Sequence, residues 1–417
     1  MSQAPDTAST PGPRSAFGPL VIIIASGVMM TLAMGIRQTF GLFLDPLSYA
    51  DGLPITVWAL AMALQNIVWG LAQPIAGAVV DRYGTPVVAV FGIVLYAAGL
   101  ILTAVIPGGT AVILAMGVLV GIGLACTGFG TALAAVGRAA SPAQRSKALG
   151  LSGTIGGLGQ VALPPVTQAL IGDHGPAFAF LVLAAVMLLA VPFGLAIRDR
   201  GTAGSPPRAD EPAFLAPRPS PLRIIRAAMS DRGYFLLTLG FFTCGFQLAF
   251  ITTYLPGYLL TCHLPAGLGA VALSLIGLFN MAGSWLCGHA GARWRPQHVL
   301  GWLYLVRAAV LFGFLVLPKN DATVFAFAAI MGLTWLGTAP LTNGVIGRLF
   351  GVRDLGTLFG GCFLSHQVGS FLGAWLGGVA FDLTGSYDVV WVLTAVAGVF
   401  AAIVNFPIRD RPGLQPA

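Results

Sequence analysis

Apolar residues run along this chain in twelve blocks, each close to the ~20 residues that a hydrocarbon layer demands. They cover 17–44, 56–80, 86–106, 110–136, 148–172, 176–197, 233–260, 266–290, 298–317, 322–346, 355–381 and 387–407. Blocks of this length predict membrane-spanning helices, because a backbone in lipid must satisfy its own N–H and C=O groups. Links such as Pro107-Gly-Gly and Gly172-Asp-His-Gly are so short that successive helices run antiparallel. The pattern lapses between the sixth and seventh blocks, where 198–232 is rich in Arg and Pro and cannot bury a core. The expected organisation is a disordered arm at 1–16 and a six-helix bundle at 17–198. A linker follows at 199–231, with a short surface helix near Pro221-Leu-Arg-Ile-Ile-Arg226, then a second six-helix bundle at 232–408 and a tail at 409–417.

The two bundles read as copies. Gly35-Ile-Arg37-Gln-Thr-Phe40 aligns with Gly245-Phe-Gln247-Leu-Ala-Phe250, and Gly77-Ala-Val-Val-Asp81-Arg82-Tyr with Gly288-His-Ala-Gly-Ala292-Arg293-Trp. Gly137-Arg138 aligns with Gly347-Arg348 in the same register. Two parallel repeats of six helices describe an alternating-access transporter whose site lies between the halves near the bilayer midplane.

Composition agrees: 57% of the residues are hydrophobic and 8% charged, against about 25% charged in a soluble domain. Lys319 alone falls on one side of the predicted topology, and Arg37 and Arg307 lie within blocks. Every other Lys and Arg sits on the side of the termini. By the positive-inside bias both termini are cytoplasmic, in a cell inner (plasma) membrane. The net charge of +7 is therefore mostly topological and implies no nucleic-acid partner. Five scattered cysteines form no disulfide or metal framework. No P-loop, GxSxG, HExxH or metal cluster is present, so no enzyme, cofactor or metal is expected, and transport draws on a gradient.

Gly77-Ala-Val-Val-Asp81-Arg82-Tyr83-Gly84, in the link between the second and third helices, resembles the G-x-x-x-D-R-x-G signature of the major facilitator superfamily. That resemblance implies an all-α fold of twelve transmembrane helices in two pseudo-symmetric six-helix bundles. It also implies a cytoplasmic gate of Asp81 and Arg82, with Arg138, Arg145, Arg293 and Arg348 as companions. The second copy carries Ala292 where the first has Asp81, so its part of the gate rests on Arg293. Gly35-Ile-Arg37-Gln-Thr-Phe-Gly-Leu-Phe, with Ser365-His366-Gln367-Val-Gly-Ser and Asp382-Leu-Thr-Gly-Ser-Tyr-Asp388, resembles the monocarboxylate-transporter and oxalate:formate exchanger branch. In the monocarboxylate carriers a first-helix cation meets the substrate, and Arg37 stands at the matching place.

The intramembrane polar residues define the expected chemistry. Arg37 and Arg307 lie inside helices, while no Asp or Glu occupies a helix interior. A guanidinium at membrane depth costs at least ~2.5–3.5 kcal/mol and so faces a cavity or a partner. Its planar fork suits a carboxylate, which makes a small organic anion the expected substrate. Arg37 otherwise snorkels or pairs with Asp45, and Arg307 otherwise braces neighbouring helices. His366 is the one intramembrane side chain that titrates near neutral pH and is the candidate for proton coupling; otherwise it is a neutral, hydrogen-bonded histidine. Gln247, the repeat mate of Arg37, is expected to donate an amide hydrogen bond to the anion. Asn343, Asn280 and Tyr254 complete the candidate binding set, with Gln65 and Asn66 of lower rank. Helices 5 and 11 carry glycine runs at 150–159 and 369–378 that permit close helix approach.

The combined reading is a monomeric secondary carrier for a small organic anion, a monocarboxylate moved with protons by alternating access. An anion exchanger without a proton step, a drug or metabolite efflux antiporter, and a transporter-like receptor without turnover remain open.

Overall fold

The computed structural model describes residues 18–140, 144–198, 220–351 and 354–409, without the side chains of 49–51, 81, 145 and 146. The expected arm at 1–16, most of the linker and nearly all of the tail lie outside these residues. Among them every regular element is helical. The membrane-length segments of the first half are α1 (Pro19–Ser48), α2 (Ile55–Tyr83), α3 (Thr85–Val105), α4 (Gly109–Ala139), α5 (Arg145–His174) and α6 (Pro176–Ala196). Those of the second are α7 (Arg232–Thr261), α8 (Ala266–Arg293), α9 (Pro296–Val316), α10 (Asp321–Phe350), α11 (Leu355–Thr384) and α12 (Asp388–Asn405). A further helix, Pro221–Met229, precedes α7 and leaves Leu222 79% exposed.

Ten of the twelve are long and apolar enough to cross a membrane by length and composition alone. α5 and α11 have the length, 30 residues each or about 45 Å at 1.5 Å per residue, but not the composition. Both are flanked by protein on two sides. α5 packs on α1 of its own half and on α8 of the other, and α11 packs on α7 and on α2. A helix with protein on two sides needs fewer side chains suited to hydrocarbon. Glycine makes these contacts close: Gly159 abuts the Thr31 carbonyl, and Gly369 and Gly373 abut the Phe242 and Phe246 carbonyls.

Four helices break, α6 between Pro176–Leu188 and Val191–Ala196. α1 passes from Pro19–Gln38 through a 3-10 turn at Phe40–Phe43 into Leu44–Asp51. α4 contains a π-helical stretch, Ile113–Leu119, and divides again at Gly128. α10 divides between Asp321–Thr334 and Thr338–Phe350. Gly337, which precedes the resumed α10 helix, follows Gly128, which precedes the resumed α4 helix, by 209 residues, so the two breaks fall within one residue of the register of the sequence repeat. Between α2 and α3 the chain reverses at Gly84 with φ +84°, which explains the last glycine of the Gly77–Gly84 motif.

The halves meet toward the face away from the termini. There the Asp382 carboxylate on α11 accepts the Thr56 N–H of α2 at 3.0 Å together with the Thr56 hydroxyl, and Gly41 of α1 abuts the Thr252 carbonyl of α7. Near mid-membrane, Gly157 of α5 faces Met281 of α8, and Ser274 of α8 donates to the Val161 carbonyl at 2.8 Å. Toward the terminal face, a Cβ added at Gly77, Gly150, Gly153, Gly288, Gly356 or Gly360 would meet nothing within 4 Å. The halves thus touch on the face away from the termini and again at mid-depth.

Candidate functional site

Arg37 occupies the last turn of Pro19–Gln38, just before the 3-10 turn. Carbonyl groups face onward at a helix C-terminus, and a cation is favoured there. The side chain is half-buried; Nη2 donates to Asn66 Oδ1 on α2 at 2.8 Å, and Nε has no partner. Its guanidinium lies 5.2 Å from the centroid of Trp69, a cation–π arrangement. A cavity of about 10 Å³ adjoins it, lined by Phe40 and Gly41 of α1, Met62, Gln65 and Asn66 of α2, and Ala249, Thr252 and Thr253 of α7. That volume holds roughly one water, and no acidic side chain lines it.

A second half-buried group, His366 on α11, stands across the bundle interface. Its imidazole stacks on Phe363 at 5.9 Å and 9°, and Phe363 meets Trp69 edge-on at 5.6 Å. An aromatic row therefore runs from Arg37 through Trp69 and Phe363 to the histidine. Hydrogen bonds follow a parallel course: Gln367 Nε2 donates to the Asn66 carbonyl at 3.0 Å, and Gln367 Oε1 lies 3.0 Å from His366 Nδ1. Gly70 permits this approach of α2 and α11, since its missing Cβ would sit 2.9 Å from Gln367.

Arg307 and Gln247 are placed elsewhere. Arg307 is fully buried; Nη2 donates to the Thr334 and Trp335 carbonyls, Nη1 to Gln247 Oε1 and Cys244 Sγ at 3.4 Å each. These carbonyls belong to the α10 break, so the guanidinium supplies donors that the interrupted helix no longer provides. Gln247 is also fully buried, with its Nε2 donating to the Thr394 carbonyl at 3.0 Å. Both ends of its amide are occupied inside the second bundle, away from the cavity lining. Asn280 serves the same break from α8, accepting the Leu336 N–H at 3.1 Å. Tyr254, fully buried, donates to the Ala374 carbonyl between α7 and α11. Asn343 donates to the Ala339 carbonyl one turn back in its own helix, at 3.1 Å.

At the terminal face Arg82 and Arg293 are exposed and lie over the Tyr83 and Trp294 rings at 5.3 and 5.9 Å. Arg138 Nη2 donates to Thr85 Oγ1 at 3.0 Å, and Arg348 is half-buried. The side chains of Asp81 and Arg145 lie outside the described residues. Reading the sequence alone gives Asn66 a low rank and Gln367 no role. The available signal is that both amides sit within apolar blocks, where an unsatisfied amide is costly.

Two six-helix bundles that meet around a half-buried intramembrane cation have the architecture of a membrane transporter. The chain belongs to the Major Facilitator Superfamily, whose family model matches residues 20–337. It is 28% identical to monocarboxylate transporter 11 of Mus musculus over 89% of this chain and 83% of that one. The human protein of that name is 29% identical over 94% and 83%. Among solved structures, a bacterial homologue of the human lysosomal transporter Spinster, inward-facing and unoccupied, superposes with a TM-score of 0.73 at 13% identity, covering 97% of this chain and 100% of that one. The protein is a multi-pass membrane transporter, related to monocarboxylate transporters, and not an enzyme.

Proposed function

We propose that this chain is a monomeric secondary carrier that moves a small organic anion, a monocarboxylate, together with a proton by alternating access. The carrying observation is Arg37: half-buried, its Nε unpartnered, beside a cavity between the halves that no acid lines. Asn66 orients the guanidinium, Phe40 and Met62 flank the apolar part of the substrate, and Thr252 and Thr253 line the site from the other half. The names of the relatives support a carboxylate substrate.

In this reading the terminal face is cytoplasmic, the membrane is the cell inner (plasma) membrane, and the contacts that close the opposite face make this the inward-facing state. When the carrier inverts, the terminal-face ends of the two bundles approach each other, and Asp81, Arg82, Arg138, Arg145, Arg293 and Arg348 form the cytoplasmic gate in this reading. His366 carries the proton.

The test is uptake of labelled small carboxylates into proteoliposomes, with and without an inward proton gradient, for the wild type and Arg37→Ala. Gradient-driven accumulation that the variant loses supports the proposal. Exchange indifferent to the gradient makes the protein an anion exchanger, and silence across the carboxylate panel overturns the substrate class.

A further inference from the structure

Hydrogen-bond logic around Gln367 determines something that coordinates without hydrogens do not display. The carbonyl of Asn66 can only accept, so the amide nitrogen of Gln367 must face it, at 3.0 Å. The amide oxygen then faces His366 Nδ1, also at 3.0 Å. An oxygen opposite a ring nitrogen requires the proton on that nitrogen. Ser370 offers no alternative donor: its Oγ is 3.5 Å from Nδ1, and its proton goes to the His366 carbonyl at 3.0 Å.

We propose that Gln367 is a positioning residue that holds His366 as its Nδ1–H tautomer, leaving Nε2 as the nitrogen that takes up and releases a proton. Uptake at Nε2 turns the neutral ring into an imidazolium with an N–H at each nitrogen, and release of that proton restores the neutral Nδ1–H ring. Around the ring, α7 contributes Phe241 at 4.9 Å and the titratable Cys244, whose thiol is hydrogen-bonded to the His366 ring and also accepts from Arg307. α11 contributes Phe363 and Ser370, and α2 acts through Asn66. The clamp is conditional. Gln367 belongs to the second half and its acceptor to the first, so separation of α2 and α11 at this level removes the carbonyl and frees the amide to rotate. His366 then keeps its tautomer in one state of the carrier and loses the constraint in the other. The coupling in this last step rests on the proton-linked, alternating-access reading; the tautomer does not.

The experiment is long-range proton–nitrogen correlation spectroscopy of the full chain in lipid nanodiscs, with its five histidines nitrogen-15 labelled and His366 assigned by its loss in His366→Gln. Above its titration range, wild-type His366 is expected to show the proton on Nδ1, and Gln367→Leu to shift it to Nε2 while the other four imidazole signals stay in place. A wild-type His366 protonated on Nε2 overturns the proposal without recourse to any variant. An Nδ1 proton that persists in a folded Gln367→Leu overturns the role of Gln367. A wild type with the Nδ1 proton that fails to accumulate carboxylate in a proton gradient upholds the tautomer and overturns the coupling.

Discussion

The molecule buries two arginines in opposite halves and uses them in opposite ways. Arg307 in the second half is fully enclosed, and its donors reach the carbonyls of the α10 break, the Gln247 amide and the Cys244 sulfur. Arg37 in the first half stands beside a break in its own helix, makes one side-chain hydrogen bond to Asn66, and adjoins a cavity, while Nε is unpartnered in both arginines. The same side chain is structural where main-chain acceptors surround it and available where they do not. What separates the roles is the supply of acceptors, since the type of residue is the same and both lie within apolar blocks.

The comparison breaks first at Arg307. Replacing it with Leu leaves two buried carbonyls and an amide oxygen without donors, at ~1–3 kcal/mol each, so a large fall in the unfolding temperature of the purified protein in detergent is expected. Lys at 307 should recover only part of it, because a point ammonium does not replace a planar fork. A variant as stable as the wild type would remove the structural role. Asn280→Ala probes the same break from α8 and orphans the Leu336 N–H, for a smaller expected loss of about 1–2 kcal/mol in the same assay. Arg37→Ala should be the mildest for stability, within ~1 kcal/mol, while transport is lost. A marked thermal destabilisation of Arg37→Ala would make the two arginines equivalent after all.

Much of the architecture was legible in the residues. Twelve apolar blocks correspond to twelve helices, and the offset between Gly35–Phe40 and Gly245–Phe250 reappears, to within one residue, in the positions of the α4 and α10 breaks. The breaks were not read from the pattern, since apolar residues continue across them; Gly337 and Pro340 were the available signs. Arg37 was marked out by the cost of a charge in hydrocarbon. The surroundings of Arg307 stayed hidden because its main partners are carbonyls, and every residue owns one. Gln367 and Asn66 are 301 residues apart, and a side chain bonded to distant backbone leaves no pairwise mark in a single sequence. Gln247 shows the limit of symmetry: a repeat mate shares the position of Arg37 in its bundle, yet its neighbours gave it different work.

The acceptor that orients Gln367 is main chain, and this has a genetic consequence. No single replacement of the Asn66 side chain deletes the carbonyl, so the first half contains no codon whose change removes that contact alone. Variation in how the histidine is held must arise chiefly through residue 367 itself, or through bulk at Gly70 that pushes the two helices apart. A screen for carriers with altered proton dependence should therefore return changes concentrated in α11 and at one glycine of α2, an asymmetry that a protein built from two copies of one unit does not otherwise lead one to expect.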